Sequence, residues 1–239
     1  MDKRAYIRDE FSKIQIELSE KQAEQFEQYY EMLIAKNEVM NLTAITEFEE
    51  VVQKHFIDSV MIKEVRELGD NEKWIDVGTG AGFPGIPLKI VYPQLQVTLL
   101  DSLNKRVKFL QEVVDALGLE QVEALHGRAE EYAKKAEYRE QYDCCVSRAV
   151  ANLASLSEYC LPFVKVGGAF VPYKSGKIQE EIEAAGKAVE ILGGRIGQRK
   201  EFMLPGSDMY RCLLYIEKVK ATAKKYPRKA GMPTKEPLH

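Results

Sequence analysis

The spacing of apolar residues divides the chain into a helical first part and a second part in which strands and helices alternate. Between residues 1 and 72, apolar side chains recur at helical spacing after Ser19 and again after Thr46. Both positions fit a capping box, because Gln22 and Glu49 stand three residues further on. We therefore predict a helical N-terminal extension over residues 1–72.

From residue 73 the pattern changes to short apolar runs separated by amphipathic stretches. Seven strands are predicted, at residues 73–77, 96–101, 121–126, 142–147, 167–173, 194–203 and 210–217. Helices are predicted at residues 85–91, 104–117, 128–136, 151–164 and 177–192. The alternation predicts an α/β domain over residues 73–217, Rossmann-like, with a mostly parallel sheet. A turn at residues 205–208 replaces the last helix, so the final two strands are predicted to pair antiparallel.

A glycine-rich turn follows the first predicted strand. Residues 74–85 read WIDVGTGAGFPG. Glycine lets the backbone pass close to a ligand, and the helix that follows offers free N–H groups. Asp101 ends the second strand about 20 residues later, where an acid accepts hydrogen bonds from ribose hydroxyls. We predict a cofactor that contains adenosine, a ligand-free turn being the lesser alternative.

Two cofactors fit this loop. Gly80, Gly82 and Gly85 match the dinucleotide fingerprint, which leaves an NAD-linked oxidoreductase as one interpretation. Asp76 and Gly78 extend the match to the pattern of S-adenosylmethionine (SAM) enzymes. The Asp76 carboxylate suits the cationic amino and sulfonium groups of SAM, whereas it would repel a pyrophosphate. We therefore favour SAM, held by Asp76, Gly78, Gly80, Gly82 and Asp101.

Further candidates follow the third and fourth strands, because ligands of open sheets bind beyond the carboxyl ends of strands. Ala129 and Glu130 come where backbone groups can read an adenine edge, although Glu130 also fits a solvated helix position. Arg148 ends strand four and suits a SAM carboxylate or an RNA phosphate. An ion pair with a neighbouring acid is the alternative for Arg148.

The distribution of charge is more informative than the net charge of −3. Residues 1–72 contain seventeen Asp or Glu and nine Lys or Arg, whereas residues 218–239 contain seven Lys or Arg and one acid. The basic C-terminal tail, residues 218–239, fits either a phosphate-binding surface or a solvated tail. No apolar run is long enough for a bilayer and the first residues are charged, which predicts a cytoplasmic protein without membrane contact. The four cysteines lack C-x-x-C spacing, so no metal is predicted.

Some chemistries of methyl transfer lack their residues here. The fourth strand reads DCCVSRA rather than the Asp/Asn-Pro-Pro-aromatic motif of exocyclic amino methylation, and Cys160 lies in a core-like helix. A target atom that is already nucleophilic, such as guanine N7, requires only in-line positioning. No general base is assigned, and Arg148 is predicted to position the reactants. Lys54 and His55 are candidate RNA contacts, although a lone helical histidine is more often structural.

The ordered set of motifs resembles the bacterial 16S rRNA guanine-N7 methyltransferase family, ribosomal RNA small subunit methyltransferase G, also called glucose-inhibited division protein B. The resemblance covers nearly the whole chain. It rests on the segments NLTAI at 41–45, HFIDS at 55–59, DVGTGAGFPG at 76–85, DS at 101–102, KR at 105–106, GRAE at 127–130, SRA at 147–149 and YPRKAGMPTKEPL at 226–238. Met232 stands where the family usually has a small residue.

The resemblance implies a SAM-dependent enzyme that methylates N7 of one guanosine in 16S rRNA near the decoding region. It implies SAM contacts at Gly78, Phe83, Ala129, Glu130 and Arg148. It also makes Arg228, Lys229 and Lys235 candidate RNA contacts. The expected partner is 16S rRNA, in the small subunit or an assembly intermediate, and the expected state is a monomer. A non-catalytic RNA-binding assembly protein with this fold is the remaining alternative.

Overall fold

The computed structural model describes residues 2–148, 151–176 and 178–239. The first part of the chain is helical, with α1 (Lys3–Lys13), α2 (Glu20–Met40), α3 (Phe48–Val51), a π-helix (Val52–Ile57), α4 (Asp58–Val60) and a 3-10 turn (Met61–Glu64). The predicted capping box of Ser19 and Gln22 is confirmed. The box predicted at Thr46 is wrong, because α3 begins at Phe48 after Glu47 and has no side-chain cap.

Seven strands form one sheet in the order β3-β2-β1-β4-β5-β7-β6. They are β1 (Lys73–Val77), β2 (Gln96–Asp101), β3 (Val122–His126), β4 (Tyr142–Arg148), β5 (Val164–Lys174), β6 (Gly194–Met203) and β7 (Tyr210–Lys218). The pairs among β1 to β5 are parallel, and β7 runs antiparallel to both β5 and β6. The predicted Rossmann-like sheet with its reversed last strand is confirmed.

Helices connect the strands as α5 (Gly85–Val91), α6 (Asn104–Ala116), α7 (Ala129–Tyr132), α8 (Leu153–Cys160) with a 3-10 turn (Leu161–Phe163), α9 (Gln179–Ile191) and a final α10 (Met232–Lys235). The prediction at 128–136 is too long, because the chain turns after Tyr132. The prediction at 151–164 is also too long, since Pro162 lacks an N–H and the last turn tightens. Lys177, the first residue of the predicted helix 177–192, lies outside the described residues, as does Ala149.

The two faces of the sheet carry different cores. On one face the N-terminal helices pack through Phe26, Tyr29 and Phe56 against β1, β4 and the glycine loop. On the other face α8 and α9 pack on the sheet. The adjacent Cys144 and Cys145 belong to opposite cores, as the alternation of side chains along a strand requires. Residues 1–72 therefore form part of the core that also holds the sheet.

Residues 218–239 also fold against this second core. Lys218 is fully buried, and its Nζ donates to the carbonyl oxygens of Leu161 (2.6 Å) and Val164 (2.9 Å). The pKa of Lys218 is lowered to about 8, chiefly by burial. Tyr226 is buried, and its carbonyl accepts a hydrogen bond from Arg139 at 2.9 Å. This segment is an ordered part of the fold rather than the solvated tail that its composition also fits.

Candidate cofactor and substrate site

The glycine loop after β1 is held closed by the buried Asp76. Asp76 Oδ2 accepts hydrogen bonds from Thr79 Oγ1 (2.7 Å) and Gly85 N (2.8 Å). Gly82 has φ +109°, and a Cβ there would lie 2.6 Å from the Tyr29 hydroxyl and 2.5 Å from Ile86 Cδ1. Only glycine fits such a position without displacing the loop. The loop backbone is therefore pre-formed at the carboxyl edge of the sheet.

Asp76 lies beneath the loop rather than in a cleft. Its side chain is fully buried, and burial raises its pKa to about 7 although Thr79 and Gly85 oppose that shift. Within the described residues Asp76 Oδ1 is buried without a hydrogen-bond partner. The prediction that Asp76 faces the cationic groups of SAM is corrected. Asp76 Oδ2 fastens the loop, and Asp76 lines neither cleft. This role explains the acid inside the strand.

Asp101 lies at the end of β2, where the ribose site was predicted. Its Oδ2 accepts from Gly80 N (2.9 Å) and its Oδ1 accepts from Leu103 N (2.8 Å). Arg106 Nη1 lies 3.5 Å from Oδ2. Each carboxylate oxygen can accept more than one hydrogen bond, so these donors do not exhaust its acceptors, although Asp101 is 3% exposed and, like Asp76, lines neither cleft. Asp101 thus links the second strand end to the glycine loop.

Two clefts lie on either side of Gly78. The smaller, of about 170 Å³, lies at the ends of β1 to β3, and we call it the small cleft. It is lined by Val77, Gly78, Leu100, Ser102, Gly127, Arg128, Ala129, Glu130 and Tyr159. Glu130 is only 5% exposed, and its Oε1 accepts from Gly231 N at 2.9 Å. Glu130 is therefore a wall of the cleft and not a solvated helix residue.

The larger cleft, of about 580 Å³, extends from Gly78 towards the N-terminal helices, and we call it the large cleft. The residues that line it from the loop side are Gly78, Thr79, Gly80, Ala81 and Phe83. The residues that line it from the N-terminal part are Leu42, Thr43, Ile45, Lys54 and His55. Gly78 lines both clefts and so lies between them.

Arg148 and His55 enclose the ring of Phe83 at the base of the large cleft. The imidazole of His55 stacks on Phe83 with ring centroids 4.6 Å apart and an angle of 19°. The Arg148 guanidinium lies 5.1 Å from the same centroid, a cation–π distance. Arg148 Nη1 pairs with Asp58 Oδ2 at 2.7 Å, and Nη2 lies 3.3 Å from His55 Nδ1. The ion pair that was the alternative for Arg148 is present, together with exposure to the cleft.

His55 is neutral in this setting. Burial and then the positive charge of Arg148 lower the pKa of His55 to about 3. Its Nε2 lies 2.8 Å from Thr43 Oγ1. Because Arg148 only donates, Nδ1 is the acceptor and Nε2 carries the proton that Thr43 accepts. His55 sits in the π-helix, a rare element that is frequent at functional sites. A neutral, stacked imidazole orients its neighbours and is unsuited to binding an RNA phosphate.

Cations from several elements line the large cleft. Five of its described lining residues are Lys or Arg, and one is an acid: Lys54, Arg106, Arg148, Lys174, Arg211 and Glu181. Lys174 pairs with Glu181 at 2.6 Å. The sequence interpretation assigned no role to Arg106, Lys174 or Arg211. Arg106 belongs to the KR segment at 105–106, whereas no motif marks Lys174 or Arg211, and the three residues come from different elements. An excess of positive charge at a concave surface is suited to a phosphate backbone.

The predicted RNA contacts of the C-terminal segment have different surroundings. Arg228 binds the fully buried carboxylate of Glu158, with Nη2 to Oε2 at 2.7 Å and Nε to Oε1 at 3.0 Å. The structure gives Arg228 an internal ion pair, and its contact with RNA stays a prediction. Lys229 and Lys235 are exposed. Lys54 lies at the opening of the large cleft and pairs with Glu50.

Neither a metal centre nor a membrane span is found in the described residues. No group of three or more His, Cys, Asp or Glu side chains in residues 2–148, 151–176 and 178–239 is placed to hold an ion. Within the same ranges, every helix is too short or too polar to cross a bilayer.

Comparisons with known proteins agree with this geometry. The profile of the family described as rRNA small subunit methyltransferase G matches residues 22–204. The protein of that name from Lachnoclostridium phytofermentans is 56% identical over 93% of this chain and 92% of its own. The one from Alkaliphilus metalliredigens is 51% identical over the full length of both.

Solved structures share the fold at low identity. M. jannaschii TYW2 in complex with AdoMet aligns with a TM-score of 0.55 and 15% identity, covering 74% of this chain and 80% of that one. A SAM-dependent methyltransferase from Aquifex aeolicus aligns with a TM-score of 0.52 and 22% identity, covering 70% and 92%. The matches favour a SAM-dependent methyltransferase over the oxidoreductase and the non-catalytic alternatives. The chain belongs to the rRNA small subunit methyltransferase G family.

Proposed function

We propose that this chain transfers the methyl group of SAM to N7 of a guanosine in 16S rRNA, near the decoding region. The observation that carries the proposal is that Gly78 lines both clefts, and that the described residues lining the larger one include five cations and one acid. The name shared by its relatives supports rRNA as the substrate. The position of the target nucleotide comes from the family resemblance.

The residues that would hold the cofactor divide between the clefts. The small cleft would hold the adenine at Ala129 and Glu130, and Asp101 would accept hydrogen bonds from the ribose. The amino-acid half would pass Gly78 and Gly80 to Phe83 and Arg148 in the large cleft. When bound, SAM supplies an electrophilic methyl group on a sulfonium cation. Asp76 contributes indirectly, since it fastens the loop whose residues Gly78, Gly80 and Phe83 line the large cleft.

The surroundings of the site fit a target atom that carries no proton. His55 stays neutral at physiological pH, with both ring nitrogens engaged. Cys144 is fully buried, and burial raises the pKa of its thiol to about 12, so it cannot supply a thiolate nucleophile. Guanine N7 needs neither a base nor a covalent intermediate, and positioning suffices.

The parts of the chain have separate roles in this proposal. Residues 73–217 form the methyl-transfer unit. Residues 1–72 supply one wall of the large cleft through Leu42, Thr43 and Lys54, where a splayed guanine would enter. Lys54, Lys229 and Lys235 would contact RNA phosphates.

The substrate state and the oligomeric state are part of the proposal. A small subunit or its assembly intermediate presents the folded rRNA that a cation-lined cleft recognises by shape. We propose a monomer that acts in the cytoplasm, where small subunits assemble. Light scattering on the purified chain tests the monomeric state, for which a mass of 27.2 kDa is expected.

The test is transfer of labelled methyl from SAM to purified small subunits and to free 16S rRNA, followed by digestion to nucleosides. We expect label in 7-methylguanosine. Label in another nucleoside would retain the methyltransferase and reject the N7 assignment. Absence of label on both substrates would contradict the proposed function.

A further inference from the structure

The C-terminal segment supports the small cleft from outside. We call residues 222–236 the C-terminal strap. Gly231 N donates to Glu130 Oε1 at 2.9 Å, and Thr234 Oγ1 lies 2.6 Å from the hydroxyl of Tyr159. Glu130 and Tyr159 both line the small cleft. The strap thus holds two side chains of the cleft wall.

The strap is anchored by a buried ion pair on α8. The carboxylate of Glu158 is fully buried, and its hydrogen bonds within the described residues all come from Arg228, through the backbone N, Nε and Nη2. Arg228 Nη2 also donates to the carbonyl of Glu236 at 2.7 Å. Ser155 Oγ donates to the carbonyl of Pro233 at 2.7 Å. Loss of one partner of a buried pair leaves the other charge uncompensated.

These contacts affect the wall of the small cleft because the Glu130 carboxylate depends on the strap for its hydrogen bond. Its carboxylate is 5% exposed, and the one hydrogen bond it accepts within the described residues comes from Gly231. A hydrogen bond to an ionised acceptor is about twice as strong as a neutral one. If the strap moves, Glu130 must find another donor, and the nearest space is the small cleft itself.

We propose that the C-terminal strap sets the affinity for the adenosine half of SAM, with Arg228 and Thr234 as positioning residues. The inference rests on the proposed function, because it requires adenosine in the small cleft. Among the described residues neither Arg228 nor Thr234 lines that cleft. Their effect passes through Glu158 and α8, and through Tyr159.

The test is calorimetric binding of SAM and of 5′-methylthioadenosine to the full chain. We expect Arg228→Ala and Thr234→Val to raise the Kd of SAM about tenfold, the factor for one lost hydrogen bond. The factor is the same for 5′-methylthioadenosine, because the strap touches only the adenosine side. In methyl transfer the KM for SAM rises and kcat at saturating SAM is retained. Arg228→Lys restores part of the affinity.

Lys224→Ala is the matched control, since Lys224 is an exposed strap cation without a side-chain contact in the described residues. It leaves both Kd values unchanged. Wild-type affinity in folded Thr234→Val and Arg228→Ala would overturn the proposal. Weaker rRNA binding by these two variants with unchanged SAM affinity would also overturn it, and would limit the strap to the RNA contacts proposed for Lys229 and Lys235. If Arg228→Ala does not fold, Thr234→Val decides alone. If the wild-type chain itself binds no SAM, the proposed function is rejected as well. If wild type binds SAM and the folded variants bind it equally well, only the role of the strap is rejected.

Discussion

Asp58 and Arg148 form an ion pair at 2.7 Å that joins the N-terminal helices to the end of β4. Asp58 is 1% exposed, and its other oxygen pairs with Arg211 of β7, also at 2.7 Å. One buried carboxylate therefore orients two arginines that line the large cleft. Arg148 is therefore accompanied by a second arginine on the same carboxylate.

Replacing Asp58 should reduce stability, and replacing its partner Arg148 should reduce turnover. Asp58→Ala leaves two partly buried guanidinium groups unpaired, and we expect a loss of about 3–5 kcal/mol in the free energy of unfolding. Arg148→Ala should abolish turnover, because it removes the cation that covers Phe83. Urea unfolding and the methyl-transfer assay measure the two effects. Near-normal turnover of a folded Arg148→Ala variant would reject the positioning role of Arg148.

Asp101 should determine affinity for the ribose. Asp101→Asn preserves the shape of the side chain but replaces a charged acceptor, and we expect the Kd of SAM to rise about 10- to 100-fold. Calorimetry with SAM measures the change. Asp70→Asn removes an exposed carboxylate outside both clefts and serves as the control. An unchanged Kd for Asp101→Asn would place the ribose elsewhere.

Asp76 should make stability depend on pH. Its pKa is about 7 in the folded protein and near 3.8 when unfolded, so the folded state binds the extra proton between these values. The contribution of Asp76 to the free energy of unfolding is therefore fully present below about pH 4. It falls by up to about 4 kcal/mol as the pH rises through 7. The difference in unfolding free energy between wild type and Asp76→Asn, measured from pH 4 to 8, isolates this group. A difference that is flat over this range would contradict the assignment.

Lys54 should contribute to RNA affinity through charge. Lys54→Ala removes one cation at the cleft opening, and the slope of log K against log salt for rRNA binding should fall in magnitude by about 0.7–0.9. Filter binding over a salt series measures it, and the Kd of SAM should stay at its wild-type value. Lys21→Ala, at an exposed position outside the large cleft, is the control. Equal slopes for wild type and Lys54→Ala would remove Lys54 from the RNA surface.

The local spacing of apolar residues and glycines predicted most of the strands and helices. The strand of residues 73–77 and the helix of residues 85–91 were predicted with the bounds that the structure has, because a buried parallel strand and a glycine turn each leave a strong signal. The helix predicted at 128–136 is too long, because α7 ends at Tyr132, and in the segment that follows Arg139 donates to the carbonyls of Thr222 and Tyr226. Such long-range contacts leave no trace in local spacing.

The sequence by itself indicated a cofactor that contains adenosine, since a glycine loop and an acid at the next strand end are local features with a direct chemical meaning. Tertiary structure alone decided what several charged side chains do. Asp76 fastens a loop, Arg228 anchors a strap and Arg211 joins the cleft. The sequence had predicted a cofactor contact for Asp76 and an RNA contact for Arg228, and had given Arg211 no role. The physical reason is that a charge acts through its nearest partner and its burial, and both depend on residues far away in sequence.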